Sequence, residues 1–154
     1  MQISRRSVLA VAVGGLVLAT GCGGAAASAA GETAPAGARR PVSVPLPPYA
    51  RAEPAAEAYR FAVARPDLLR AVPCYCGCER QGHVNNLDCF VAGFAADGRP
   101  TYDPHGAGCG TCVAIALETK RLAGQDIPPA EIRRTIDAKF GGGRPGTRTP
   151  PPPE

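Results

Sequence analysis

Six cysteines and both histidines of the chain fall between positions 74 and 112: Cys74, Cys76, Cys78, His83, Cys89, His105, Cys109 and Cys112. Thiolate and imidazole are the ligand classes of zinc and copper sites. The densest stretch is Pro73-Cys74-Tyr75-Cys76-Gly77-Cys78, with three thiols in five positions. Along an extended backbone residues i, i+2 and i+4 share a face, so three sulfurs can stand side by side, and Gly77 lets the chain turn to draw them together. A bridge between i and i+2 lies outside comfortable disulfide geometry. The spacing therefore favours a thiophilic metal or thiol exchange over stapling.

Three chemistries compete for these residues. The first is metal binding through Cys74, Cys76, Cys78 and Cys89, completed by Cys109 and Cys112, with His83 and His105 as weaker candidates. Copper(I) is the first choice, because it accepts two or three sulfurs and C-x-C spacing suits thiolates that share metals; zinc in a closed tetrahedral site is the second. The second chemistry is thiol–disulfide exchange at Cys109-Gly110-Thr111-Cys112, where Cys112 opens a predicted helix whose positive end favours thiolate. The third is a binding module held by three disulfides, for which six thiols allow fifteen pairings. No Ser/His/Asp order, glycine-rich phosphate loop or carboxylate pair stands out. The reading is a binding protein, with the dithiol as the enzymatic alternative.

The elements that must position these groups are short. From Pro54, Ala58, Phe61, Ala62 and Arg65 fall on one helical face, and Pro66 to Arg70 starts a second short helix. Residues 79–108 read mostly as loop, with a possible hairpin pairing 90–95 with 100–102 around the turn signal Asp97-Gly98. Asp88, Asp97, Asp103 and Glu79 are scattered among turn residues and read as solvated loop. Cys112, Ile115, Ala116, Thr119, Leu122 and Ala123 recur at helical spacing, with Gly124 as the stop. A last helix starts at Pro128-Pro129, buries Ile132, Ile136 and Phe140, and ends at Gly141; its Arg133-Arg134 pair reads as the wet face. The expected fold is mostly α: one small domain of about four short helices beside a Cys/His-rich loop region.

The 154 residues allow one domain, and roughly 90 of them are left for a fold, a size at which staples or metals help. The expected divisions are an export signal at 1–21, a flexible tether at 22–48, the cysteine-rich domain at 49–141 and a disordered Pro/Gly-rich tail at 142–154. The signal rests on Arg5-Arg6 followed by about a dozen apolar residues, too short a run to span a bilayer comfortably. Ser4-Arg5-Arg6-Ser7-Val8-Leu9 resembles a twin-arginine signal, and Leu18-Ala19-Thr20-Gly21-Cys22 resembles a bacterial lipobox. Cys22 is then the lipidated first residue of the mature chain, which would be exported and anchored to the outer face of a bacterial cytoplasmic membrane. The expected partners are that membrane and a protein that accepts or donates metal. Formal charge is +4, and removing Arg5 and Arg6 leaves +2; a balance so close to neutral argues against nucleic acid.

The string Pro73-Cys74-Tyr75-Cys76-Gly77-Cys78 resembles the PCYCGC-motif proteins, a family of predicted bacterial lipoproteins. The resemblance continues through Gly82-His83, Asp88-Cys89-Phe90, His105 with Cys109-Gly110-Thr111-Cys112, and Glu131-Ile132-Arg133 with Ile136-Asp137. It covers about residues 48–141. It implies an envelope lipoprotein and leaves the choice of metal to the residues themselves.

Overall fold

A computed structural model describes residues 44–152. The expected export signal, Cys22 and the expected tether up to residue 43 lie outside the described residues, as do 153 and 154. Five α-helices follow in order: α1 (Ala55–Ala64), α2 (Pro66–Arg70), α3 (His105–Gly108), α4 (Gly110–Ala123) and α5 (Pro129–Phe140). Between α2 and α3 run single 3-10 turns at Cys78–Gln81 and Leu87–Cys89, then a hairpin of β1 (Val91–Phe94) and β2 (Pro100–Tyr102). This is the mostly helical domain expected, with its small hairpin and cysteine loop. No helix among the described residues is long and apolar enough to cross a membrane.

α1 is an alanine-rich packing helix. It buries Ala55, Ala56, Ala58, Ala62 and Val63 together with Tyr59 and Phe61, and its small side chains let α4 pack directly on it. Tyr59 is fully buried and meets Phe90 edge-on at 5.1 Å between ring centres. Aromatic pairs prefer this geometry because the positive ring edge faces the negative ring face. Arg65, expected on the buried face, lies just past the helix and pairs with Asp67 in solvent instead. α5 packs against α4 and buries Ile132 and Ile136, with Phe140 half-buried.

The hairpin matches its expected place. Val91 faces Tyr102 and Phe94 faces Pro100, with a bulge between Val91 and Gly93. Gly98 turns the chain at φ +86, a conformation that costs a side-chain-bearing residue strain. The stop of α4 differs from expectation. Gly124 is right-handed at φ −70, and the left-handed residue is Asp126 at φ 56. Its amide donates to Ala123 O and that of Ile127 to Leu122 O, which is the Schellman pattern of helix ends with aspartate in the glycine position.

Both domain edges extend further than the composition suggested. Leu46 packs on the core and Val44 O accepts from the Tyr102 hydroxyl at 3.0 Å, so the fold already includes part of the expected tether. The tail is likewise no disordered segment over its described part. Thr147 and Thr149 are buried; the Thr147 amide donates to Cys74 O and its Oγ1 accepts from the Cys74 amide, both at 2.9 Å. Thr149 Oγ1 donates to Val84 O at 2.7 Å. The reason is hydrogen-bond accounting: the cysteine loop has no helix or sheet to satisfy its buried main chain, and the tail supplies partners.

Candidate metal centre

The motif residues divide the labour of holding the site. Pro73 is buried, and Cys74 is clamped at its backbone by Thr147. Tyr75 donates to Asp137 Oδ1 at 2.6 Å, tying the loop to α5. Burial and that carboxylate push the Tyr75 phenol up to about 12, so it stays a neutral donor. Asp137 is held in turn by Arg133 at 2.9 Å, and Arg133 Nη1 reaches Ala71 O, Thr149 O and Pro150 O. Arg133 is therefore a half-buried clamp and not part of a wet face. Gly77, at φ +86, reverses the chain between Cys76 and Cys78, as the sequence suggested.

The other ligands arrive from separate elements. Cys89 ends the turn Leu87–Cys89, His105 opens α3, and Cys109 caps α4 with Cys112 two residues inside it. Gly106 brings α3 close: a Cβ there would lie 2.5 Å from the Phe90 ring and 2.7 Å from Cys89 O. Asn86 fixes the depth of the loop: its main-chain amide donates to Val72 O at 2.8 Å and its Nδ2 donates to Cys112 O at 3.3 Å.

All eight expected residues come together. Four sets of ligand atoms lie within 4.8 Å of one another: Cys76/His105/Cys109/Cys112, Cys78/His83/Cys89/His105, Cys74/Cys76/Cys78 and Cys74/Cys89/Cys112. The sulfurs of Cys74, Cys76 and Cys112 form a triangle with edges of 3.3, 3.5 and 3.5 Å. Cys78 and Cys89 sulfurs are 3.7 Å apart, and Cys76 Sγ is 3.4 Å from His105 Nε2. A tetrahedral zinc at ~2.3 Å from each sulfur sets its sulfurs about 3.8 Å apart, near these values, whereas a disulfide needs ~2.05 Å. All six cysteines are free.

Crowding splits the protonation of the thiols. Contacts with Cys112 and then Cys89 draw the Cys74 thiol down, while the contact with Cys74 pushes Cys112 up. Burial pushes up Cys76 and Cys78. Close sulfurs thus set the balance of charge within the cluster, alongside burial and the helix end at Cys112.

The histidines are better placed than their loop positions suggested. His83 is buried, and its Nδ1 has no hydrogen-bond partner. Its Nε2 lies 3.7 Å from Asp103 Oδ2, and Asp103 Oδ1 accepts from the His105 amide at 2.8 Å. The carboxylate stands beside the His83 ring at ion-pair distance, too far for a hydrogen bond. His105 meets His83 edge-on, with ring centres 5.1 Å apart. Asp103, read from the sequence as solvated loop, and Thr147, which the sequence did not single out, are the further residues that support the site. Only their spatial neighbours reveal them, 20 residues from His83 and 73 from Cys74. A cleft of about 440 Å3, lined by Gln81, His83, Asp103, His105 and Cys109, opens the site to solvent. A larger cleft of about 710 Å3 lies among Leu46, Arg60, Val63 and Tyr102 and carries none of these ligands.

No curated protein and no solved structure matches the chain. The family model described as protein of unknown function with PCYCGC motif matches residues 43–152, which spans the helices, the cysteine loop and the packed tail, and the chain belongs to that family.

Proposed function

We propose that this chain is an extracytoplasmic lipoprotein that binds a thiophilic metal ion through its clustered cysteines and histidines, for metal handling or delivery. The observation that carries the reading is the convergence of six thiols and two imidazoles from five segments into overlapping sets within 4.8 Å. Copper(I) is the preferred metal and zinc the second, because sulfur predominates and a three-sulfur triangle suits low-coordinate copper(I). The cleft beside His83, His105 and Cys109 offers an exchange route to a donor or acceptor protein. The anchor rests on the lipobox-like stretch ending at Cys22; Cys22→Ala should leave the chain unprocessed or released from membranes, and unchanged retention at mature mass contradicts it.

The test is competition. Reduced full chain should take copper(I) from a colorimetric copper(I) chelator, with zinc displaced by copper; failure to take either metal ends the proposal. Cys109, half-buried at the end of α4 and on the cleft, supports a second reading, thiol–disulfide exchange with Cys112. Insulin reduction that disappears in Cys109→Ser would favour it.

A further inference from the structure

The two sets of four ligands share a single residue. Cys76, Cys109 and Cys112 belong to one, Cys78, His83 and Cys89 to the other, and His105 to both. Cys74 stands between them. It is 3.3 Å from Cys76 and 3.5 Å from Cys112, and its sulfur also shares sets with Cys78 and with Cys89. A single tetrahedral ion takes four ligands, and eight donors exceed that demand. Thiolate sulfur has lone pairs enough to bridge two soft metals, and Cys74 touches two thiols of each set.

Resting on the metal-binding reading above, we propose that the centre is dinuclear: two thiophilic ions, one in each set, bridged by the Cys74 thiolate. An independent observation supports the second position. The set containing His83 includes an imidazole whose Nδ1 is buried without a hydrogen-bond partner and whose Nε2 lies 3.7 Å from Asp103 Oδ2. A buried polar atom without a partner is costly unless something fills it, and a metal ion on Nδ1 would do so. His105 serves one ion only; apart from it, the first set offers three thiols and the second two thiols and the His83 imidazole. The pocket therefore has a sulfur-rich and an imidazole-containing half.

The test uses the reduced full chain, titrated with copper(I) under nitrogen and weighed by native mass spectrometry. The expected result is a species carrying two copper ions at saturation. Cys109→Ser and His83→Ala should each leave one, since each removes a ligand from a different set. X-ray absorption of the two-copper form should show copper–copper scattering, lost in Cys74→Ser. A saturated count of one overturns the dinuclear centre while leaving the function above intact, and a count of zero with copper(I) and, in a parallel titration, with zinc overturns both. A count above two, or two ions without copper–copper scattering, overturns the bridge.

Discussion

The tail offers the sharpest structural test, through Thr147→Val. Valine keeps the shape of threonine and removes one hydroxyl. In the parent, Thr147 Oγ1 accepts from the Cys74 amide at 2.9 Å and contacts Thr149 Oγ1 at 3.0 Å. Thr149 keeps its bond to Val84 O, and the Thr147 amide keeps its own to Cys74 O. The net damage is one orphaned amide on a residue that is 0% exposed. Leaving such a donor unsatisfied costs ~1–3 kcal/mol. For a domain of roughly 110 residues, a loss of ~2 kcal/mol lowers Tm by about 9 °C. Thr147→Ser, which keeps the acceptor, should lose less than half as much. Urea and thermal unfolding of the reduced, metal-free full chain measure both. A valine variant within ~0.3 kcal/mol of the parent, or a serine variant that is worse, refutes the account of the tail as the partner of the cysteine loop.

Other substitutions probe other parts. Asp103→Asn should weaken metal binding ~10–100-fold by loosening His83, read by chelator competition; unchanged affinity removes Asp103 from the account. Gly106→Ala should destabilise by ~1–3 kcal/mol in urea unfolding, because its Cβ would enter the Phe90 ring. Asp126→Gly should instead stabilise by ~0.5–1 kcal/mol, relieving left-handed strain and a negative charge at a helix end. Glu118 is held at about 2 by Arg121 and then Lys139, against a usual 4.5. A lowered carboxyl stabilises fully above its unfolded value, so this contribution should be present above about pH 4.5 and fade as pH falls towards 2. Glu118→Gln should flatten that part of the stability–pH curve. Metal affinity should rise with pH, since burial holds thiols such as Cys78 protonated and the ion must displace those protons.

Much of the site was legible because its residue types are rare elsewhere in the chain. Cysteine and histidine density marked the ligands, and Gly77 marked the turn, from local chemistry alone. The long helices were legible through apolar spacing, as at Ile115, Leu122, Ile132 and Ile136. What escaped the sequence was tertiary. Nothing in Gly-Arg-Pro-Gly-Thr-Arg-Thr shows that two threonines complete the hydrogen bonds of a loop 70 residues away. Arg133 reads as surface until Asp137, Ala71 and the tail are seen around it. The sulfur that Cys112 meets at 3.5 Å belongs to Cys74, 38 positions distant.

The central claim is that the six domain cysteines are metal ligands in the protein as it is made. The direct measurement is native mass spectrometry of the chain recovered from membranes of expressing cells, with thiols counted after metal removal. The account predicts a metal adduct that yields six free thiols when stripped. A metal-free mass about six daltons below the fully reduced value, two hydrogens for each of three disulfides, would contradict it.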